Sequence, residues 1–438
     1  MMVTAQFSAC ARAMRPRRSW RAGYRVGGSS PVLLADYVEG RFGVKSATDF
    51  AALHGFTRAS VGGCVDDRGQ VTGAGPDSPR FDHHPVSGAS LGLLIEDARS
   101  NTLTWSHEID NPGWAKDNVT VQANAAVAPD GTLSADKILD TATFGHHRVK
   151  QFGLAIEAGN AYTASFFAKG AGRNVYVTLF DGSGAWNAAC RFDLEAGVAV
   201  SPSGSTLIGA QMEPSGDGWF RCGLSVRTVG NSNNAQVLIN VLEGPAMYAG
   251  DGVSGAYLWG AQLEAGRAAS SYIPTAATTA TRAADKATIA LGEWFNPTAG
   301  TLLLEATLRR GTAGRYLWSL NDGLPGGNTL GVRFAQAGDG ALEAVSMCQG
   351  VGEAQIALGS APEFSVARIA LSYDQSRIAA SLNGSAAQTH TGVSPAGSYS
   401  VLQPGGLLAA AGNIHLRQIG YWPHAMADDA VQGLSAAR

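Results

Sequence analysis

The sequence predicts an all-β protein with two β-sandwich (jelly-roll) domains in tandem, preceded by an irregular N-terminal segment. Only 15% of the 438 residues are charged and 56 are glycine, a composition that favours many short strands joined by turns over helices. Short runs with period-two alternation recur between clusters of Asp, Gly and Ser, as half-buried strands require. At roughly 150 residues per domain, the length predicts two or three domains.

The predicted strands follow this alternation along the chain. Residues 31–90 read as loops with short apolar pieces between turns. The middle domain has strand-like runs at residues 161–168, 174–180, 190–194, 218–226, 235–242 and 257–264. The last domain has them at residues 301–308, 316–320, 330–334, 366–373 and 378–382. The Asn383-Gly384 pair after the last of these runs is typical of a hairpin turn.

The domain boundaries depend on residues 257–264 and on the stretch that follows. Residues 257–264 read as the strand that closes the first sandwich. By period two, one face of this strand carries Tyr257, Trp259, Ala261 and Leu263. Residues 276–284 are rich in Ala and Thr and have no apolar periodicity, which indicates a linker. The predicted domains are therefore residues 1–90, 91–281 and 282–438.

The first 30 residues form a basic arm, and no acidic residue precedes Asp36. The arm includes Arg12, Arg15, Arg17, Arg18, Trp20 and Arg21. Arginine beside aromatic side chains is typical of residues that anchor interfaces. Docking on an acidic partner surface is therefore favoured over a disordered tail that is merely kept solvated by its charge.

Composition and motifs argue against several classes of protein. The net charge of −3 is too small to attract nucleic acid. No apolar run approaches 18 residues, so no membrane insertion is expected, and the basic arm is not followed by the apolar region of a signal peptide. The five cysteines lie far apart without CxxC spacing. Cys190 and Cys222 are expected either to pair or to remain buried thiols.

Several phrases resemble bacteriophage and prophage tail-fibre or appendage proteins. The series FTRAS, VDDRGQV, PRFDHHP and LGLLIEDARSN within residues 56–101 is similar to the segment that precedes a carbohydrate-binding jelly roll in such proteins. NPGWAKDNVTV, GWFRCGLSV and GAYLWGAQLEAGRAASSYIPT resemble the jelly roll itself. HLRQIGYWPHAMADDAVQGLS resembles the end of concanavalin-like or laminin-G-like lectin sandwiches, which implies a last strand at residues 414–422 and a short helix at residues 428–434.

The resemblance implies a virion spike or fibre that binds bacterial cell-surface or capsular polysaccharide. The N-terminal segment would then be an attachment segment whose basic arm docks on other virion or spike-base proteins. A narrower resemblance is to the head-spike fibre of a gene transfer agent, a domesticated phage particle. The implied location is the surface of a particle that is made in the bacterial cytoplasm and released by lysis. Each sugar-binding site is expected to be weak, so adhesion needs several sites acting together. This predicts a homo-oligomer.

Sugar recognition needs flat aromatic rings for pyranose C–H faces and planar polar groups for hydroxyls. Trp114 and Trp186 each follow a turn-like sequence, so we expect their rings to be exposed. The candidate carbohydrate-binding residues are Trp114, Trp186, Asn187, Arg191 and Tyr248, with further polar contacts from Gln236 and Asn240. Trp219 and Trp259 lie within alternating strands and are expected in the core.

Metal and catalytic chemistry receive less support. The carboxylate oxygens of Asp181 and Asp251 could hold a structural calcium ion. No other cofactor is expected. The His83-His84 pair is not a metal site, because adjacent side chains on an extended chain point in opposite directions. No catalytic residue is assigned, since no hydrolase or nucleotide-binding motif is present. A polysaccharide depolymerase, with two facing carboxylates, and a purely structural spacer remain as alternatives.

Overall fold

Strands account for 55% of the structure and helices for only 3%, which confirms the all-β prediction. The structure, a computed structural model, describes residues 28–44, 49–242, 246–309, 313–335, 340–393 and 398–436, together with Arg25, Gly244 and Pro395. The predicted docking residues Arg12, Arg15, Arg17, Arg18, Trp20 and Arg21 lie outside the described residues. Within the part that is described, no helix is long and apolar enough to cross a bilayer.

The N-terminal part of the described chain contains eight short strands and one short helix. The strands are β1 (Leu33–Asp36), β2 (Arg41–Val44), β3 (Gly55–Thr57), β4 (Gly62–Val65), β5 (Val71–Ala74), β6 (Phe81–His83), β7 (Ser90–Ile95) and β8 (Arg99–Asn101), and the helix is α1 (Phe50–Leu53). The Asp49 carboxylate accepts a hydrogen bond from Ala52 N and so begins the helix.

The middle of the chain supplies fourteen strands. They are β9 (Ala115–Asp117), β10 (Val119–Val127), β11 (Leu133–Asp140), β12 (Phe144–Gly145), β13 (Arg148–Ile156), β14 (Ala161–Ala171), β15 (Asn174–Phe180), β16 (Asn187–Asp193), β17 (Val198–Ser203), β18 (Leu207–Pro214), β19 (Phe220–Arg227), β20 (Ser232–Leu242), β21 (Tyr248–Ala249) and β22 (Gly255–Ala265). Two six-stranded antiparallel sheets result, in the orders β10-β11-β22-β14-β19-β18 and β17-β16-β15-β20-β13-β9.

The C-terminal part contains the remaining strands and a second helix. The strands are β23 (Ala280–Arg282), β24 (Lys286–Ala290), β25 (Gly300–Leu308), β26 (Tyr316–Asn321), β27 (Thr329–Phe334), β28 (Ala341–Cys348), β29 (Val351–Ser360), β30 (Val366–Tyr373), β31 (Arg377–Leu382), β32 (Gln388–Thr391), β33 (Val401–Pro404), β34 (Gly406–Leu407), β35 (Ala410–Ala411) and β36 (Ile414–Trp422). Helix α2 (Asp428–Ser435) follows β36 and packs on the outer face of its sheet through Val431 and Leu434.

The N-terminal strands complete the C-terminal sandwich. They therefore do not form a separate segment that ends at residue 90, as the sequence predicted. One sheet has the order β2-β1-β36-β25-β30-β31-β32, with β7 paired to β36 and β6 to β7, and the opposite sheet ends with β24 and β3. Leu33, Tyr37 and Leu93 are buried in the same core as Leu304 and Ile369. These N-terminal strands are only three to six residues long, too short for periodicity to reveal them as parts of a sheet.

The predicted linker at residues 276–284 is packed in place. Strand β23 pairs with β8, and the Arg282 side chain is buried with its Nη2 atom 2.9 Å from the Asp97 carbonyl oxygen. The sequence here lacks apolar periodicity because hydrogen bonds and ion pairs, rather than apolar contacts, hold it in place. Both sandwiches thus meet at an ordered junction.

Strand β22 contains a bulge that corrects the predicted face. Gly260 has φ +65°, and the pairing with β14 shifts register at this point, as an extra residue in a strand requires. Leu258 and Ala261 therefore both face the interior of the middle sandwich, whereas Trp259 lies on the outer face. The expectation that Tyr257, Trp259, Ala261 and Leu263 share one face is wrong.

Candidate functional site

The two sheets of the middle sandwich differ in what covers their outer faces. On the sheet that contains β14, Phe167, Trp219 and Trp259 are buried in a cluster with Tyr272, which lies outside this sheet. Trp219 and Trp259 are 2% and 3% exposed, so the expectation that both are buried is confirmed. The opposite sheet, which contains β15, presents partly exposed side chains; we call its outer surface the open face.

The open face is built by strict alternation. In β15, Val175, Val177 and Leu179 are buried in the core, which leaves the side chains between them pointing outward. In β16, Ala188, Cys190 and Phe192 are buried in the same way. The outward side chains of these two strands are Tyr176, Thr178, Phe180, Asn187, Ala189, Arg191 and Asp193.

One row of side chains crosses the open face from strand to strand. Arg191 is paired with Tyr176, Tyr176 with Asn240, Asn240 with Arg148 and Arg148 with Asp117. Neighbouring strands lie about 4.8 Å apart, so the row spans roughly 19 Å. The Asn240 amide donates to the Tyr176 carbonyl oxygen at 3.0 Å, which fixes the orientation of this side chain within the row.

Two further rows lie beside the first. One contains Thr178, Leu238 and Lys150. The other contains Asn187, Phe180 and Gln236, and faces a bulge in β13 that contains Phe152. Phe152 is 59% exposed. The open face therefore combines three aromatic rings with the amides of Asn187 and Gln236, whereas Asn240 and Leu238 of β20 are only 7% and 6% exposed.

The charged groups of the open face form incomplete pairs. Asp117 Oδ2 accepts from Arg148 Nε and from Lys150 Nζ, each at 2.8 Å. Burial raises the pKa of Asp117, but the hydrogen bonds from Lys150 and Arg148 outweigh this effect and hold the pKa below its usual value. Arg191 Nη2 lies 3.7 Å from Asp193 Oδ2, and Arg191 Nε is buried without a hydrogen-bond partner.

An open cleft of about 510 Å³ adjoins the Arg148 end of the row. It is lined by Lys116, Asp117, Asn118, Gly145, His146, Arg148 and Met247. Lys116 Nζ donates to the Asp110 carbonyl oxygen at 2.9 Å, and burial lowers the pKa of this ammonium group. The cleft and the open face share Arg148 and Asp117, so a ligand lying along the row can extend into the cleft.

Trp114 and Trp186 are not exposed, and the expectation that they form sugar-stacking platforms is wrong. Both side chains are 0% exposed and lie in the core of the middle sandwich. Trp114 Nε1 donates to the Trp105 carbonyl oxygen at 3.0 Å. The chain turns back at Asp181, whose backbone N–H donates to the Trp186 carbonyl oxygen, and this turn directs the ring of Trp186 inward. A position after a turn does not therefore imply an exposed ring.

The other three predicted binding residues divide between two places. Asn187 and Arg191 lie on the open face. Tyr248 lies elsewhere, with its hydroxyl 2.9 Å from Asp140 Oδ2 and 3.0 Å from the Val241 carbonyl oxygen. Its ring packs 4.4 Å from that of His147, so Tyr248 is committed to structural contacts.

Asp181 and Asp251 do not form a common calcium site. Asp181 directly follows β15, at the end of that strand. Asp251 lies at the other end: its Oδ2 atom is 3.1 Å from Nη2 of Arg173, the residue that directly precedes β15. Seven residues of strand separate the two carboxylates by roughly 20 Å. The Asp181 carboxylate accepts hydrogen bonds from Ser183, Gly184 and Ala185 within its own turn. No cluster of three or more His, Cys, Asp or Glu suited to a metal occurs in the described ranges.

Sequence reasoning missed the most informative residues of the open face, which are Tyr176, Phe180, Arg148 and Lys150. The signal for the two rings was present, because alternation in residues 174–180 separates them from three aliphatic residues. What the sequence could not indicate is that this sheet, and not the one containing Trp259, has an uncovered outer face.

No protein-family model matches the chain, and no curated protein matches it. Among solved structures, a CBM40 module of a Ruminococcus gnavus IT-sialidase bound to α2,3-sialyllactose is similar, with 13% identity and a TM-score of 0.28 over 32% of this chain and 83% of that one. Domain 4 of AbnA, a GH43 extracellular arabinanase from Geobacillus stearothermophilus in complex with arabinotriose, has 12% identity and a TM-score of 0.28 over 36% and 77%. Domains LG4-5 of the mouse laminin α1 chain have 12% identity and a TM-score of 0.21 over 66% and 90%. All three TM-scores are below 0.5, so none carries an argument about function.

Proposed function

We propose that this protein binds polysaccharide along the open face. The observation that carries the proposal is that Tyr176 and Phe180 project from the same side of β15, with Asn187 and Gln236 on the strands to either side. Aromatic rings offer flat apolar surfaces to the C–H faces of sugar rings, and amides both donate to and accept from hydroxyls. A β-sheet holds these groups in a fixed arrangement, so little ordering is needed on binding.

The dimensions of the open face suit an extended chain of sugar rings. Tyr176 and Phe180 are four residues apart, which places them roughly 13 Å from each other along the strand. The row through Tyr176 extends roughly 19 Å across the strands and continues into the cleft beside Arg148. A shallow surface of this kind buries only one side of a ligand, so the affinity of one site is expected to be weak and several copies to act together.

The proposed role is binding rather than cleavage. A glycosidase needs a protonated carboxyl group with a raised pKa as its general acid. On the open face, Asp117 instead has a lowered pKa because Lys150 and Arg148 hydrogen bond to it. Asp193 accepts backbone hydrogen bonds from Glu195 and Ala196 in its turn, so its carboxylate is occupied by local structure.

Affinity electrophoresis through gels that contain different polysaccharides tests this proposal. For a polysaccharide that retards the native protein, Tyr176→Ala and Phe180→Ala should each weaken retardation about tenfold, since each removes a stacking surface worth on the order of 1 kcal/mol or more. Phe364→Ala is the matched control, because Phe364 is 41% exposed and lies just before β30 in the C-terminal sandwich, away from the open face and its cleft. Equal retardation of all four proteins contradicts the proposal. A fall in the polymer's chain length during incubation supports a depolymerase instead.

We further propose that the protein is a particle appendage attached through residues 1–24. The support is the resemblance of its phrases to phage appendage proteins and the basic arm with Arg12, Arg15 and Trp20. Removal of residues 1–24 should then abolish co-sedimentation with purified particles while leaving polysaccharide retention unchanged. Co-sedimentation of the shortened protein to the same extent as the full chain contradicts the attachment role.

A further inference from the structure

The open face carries a positive net charge although the whole chain does not. The chain has a formal net charge of −3. On the open face three cationic side chains, those of Arg148, Lys150 and Arg191, accompany two carboxylates, those of Asp117 and Asp193. The local charge is therefore opposite in sign to that of the whole protein, and it lies where the proposed function places the sugar.

Arg148 keeps one edge of its guanidinium group available. Its Nε atom donates to Asp117 Oδ2, and the same oxygen also accepts from Lys150 Nζ. One carboxylate cannot neutralise two cations. The terminal Nη1 and Nη2 atoms make no hydrogen bond to the described residues, and the side chain is 24% exposed. Two parallel N–H groups are the arrangement that binds a carboxylate through both of its oxygens.

Arg191 is the second cation with unfilled donors. Its Nε atom is buried without a partner, and its contact with Asp193 is 3.7 Å long, beyond hydrogen-bond distance. Asp193 Oδ1 accepts from Glu195 N and Ala196 N, which holds this carboxylate in its own turn. A buried guanidinium N–H without a hydrogen-bond partner is unfavourable. An anion bound beside Arg191 would compensate part of the positive charge of its guanidinium group.

The two arginines lie in the row that crosses the open face, on either side of its aromatic ring. Arg191 and Arg148 are separated by Tyr176 and Asn240, which amounts to three strand spacings or roughly 14 Å. A sugar stacked on Tyr176 would thus have a cation on either side. Beyond Arg148, the cleft is also lined by Lys116 and His146. The end of a polysaccharide chain that enters the cleft would therefore meet further hydrogen-bond donors.

We propose that the ligand of the open face is a carboxylate-bearing polysaccharide, with acidic sugars placed at Arg148 and Arg191. This inference rests on the proposed function and adds the chemical class of the ligand. Arginine provides the planar pair of donors that matches a carboxylate, and the low exposure of these side chains reduces screening by salt.

The test uses three uronate polymers, polygalacturonate, alginate and hyaluronan, each beside the same polymer after chemical reduction of its carboxyl groups to alcohols. The native protein should be retarded by at least one uronate polymer and about tenfold less by its reduced form, a difference equivalent to one charge-assisted contact. Arg148→Gln and Arg191→Gln should weaken retardation by the uronate polymer to a similar extent. Arg227→Gln, an exposed arginine on the opposite sheet, is the matched control and should have no effect.

Four outcomes overturn the inference. The first is equal retardation by a uronate polymer and its reduced form; if Tyr176→Ala weakens both, the proposed function stands while the ligand class is wrong. The second is equal retardation by dextran sulfate, which shows a general preference for polyanions instead of carboxylates. The third is retardation by none of the uronate polymers. Loss of retardation in Arg227→Gln as large as that in Arg148→Gln also contradicts the assignment.

Discussion

Arg80 and Glu96 form an ion pair in which Arg80 Nη1 lies 2.7 Å from Glu96 Oε2, and both side chains are at most 1% exposed. Ser271 accepts from the same Arg80 nitrogen and donates both its N–H and its hydroxyl to Glu96. Arg80 also pairs with Asp285, which in turn pairs with Arg58. This buried network joins the N-terminal strands, the segment after β22 and the start of the C-terminal sandwich.

Because the network is buried, removal of one partner leaves the others uncompensated. Glu96→Gln should lower the free energy of unfolding by about 3–5 kcal/mol, since the charges of Arg80 and Arg282 lose their shared carboxylate. Urea unfolding measures the change. Glu39→Gln is the control: the Arg41–Glu39 pair is on the surface, where loss of a partner changes stability by about 1 kcal/mol or less. Similar effects of the two substitutions would contradict the structural role of the network.

The same network predicts how stability depends on pH. Burial alone would raise the pKa of Glu96, but Arg282 and Arg80 outweigh it and hold the pKa well below the ordinary value of 4.5. A group with a depressed pKa in the folded state stabilises the protein fully above its unfolded pKa, and this contribution is lost as the pH falls through the folded pKa. The stability difference between the native protein and Glu96→Gln should therefore shrink as the pH is lowered below about 4.5. A difference that stays constant with pH contradicts the assignment.

The bulge at Gly260 should not tolerate a side chain. A Cβ atom at this position would lie 2.9 Å from the Phe167 ring, and the φ angle is +65°. Gly260→Val is expected to lower the free energy of unfolding by roughly 1–3 kcal/mol or more, because a β-branched residue is strained at positive φ. Gly223→Ala is the matched control, as a Cβ there meets nothing within 4 Å. A Gly260→Val protein with native stability would show that the bulge is not required.

The thiols of Cys190 and Cys222 should be present but unreactive in the native protein. Both are free and buried; burial raises the pKa of Cys190 to about 11 and raises the pKa of Cys222 well above its usual value, which suppresses the reactive thiolate. Ellman's reagent should detect Cys348, which is exposed, and should detect Cys190 and Cys222 only after unfolding in urea. A total in urea two thiols short of the five in the sequence would instead indicate a disulfide.

Trp186 should contribute to stability and not to ligand binding. Its ring is fully buried in the core of the middle sandwich, so Trp186→Ala is expected to lower the free energy of unfolding by about 3–5 kcal/mol. The fraction that remains folded should still be retarded by polysaccharide as the native protein is. Loss of retardation in a fully folded Trp186→Phe protein would contradict this prediction and indicate that the Trp186 ring stacks on sugar.

The sequence predicted the strand content well, because alternation is a local property. Val175, Val177 and Leu179 of β15 are buried as their period requires. Alternation failed within β22, where Gly260 inserts one extra residue and reverses the faces that follow. A bulge depends on pairing with β14, a strand almost 100 residues earlier, so its effect on the pattern cannot be recognised from β22 alone.

The candidate site was harder to predict than the fold, because exposure depends on what packs above a sheet. The turn before Trp186 suggested an exposed ring, but the chain folds back at Asp181 and directs the ring into the core. Asn187 and Arg191, which the sequence suggested as polar contacts to a sugar, are outward residues of the strand that follows, and their role in binding stays a prediction. The N-terminal strands show the same limit: Leu33 and Leu93 share a core with Leu304 and Ile369, which lie more than 200 positions away in the sequence.

The most direct test of the proposed function is a crystal structure of the protein with an oligosaccharide prepared from a polymer that retards it. We expect sugar density across β16, β15 and β20, with a ring stacked on Tyr176 or Phe180 and polar contacts to Asn187 or Arg148. Density confined to the C-terminal sandwich, with the open face empty, would contradict it.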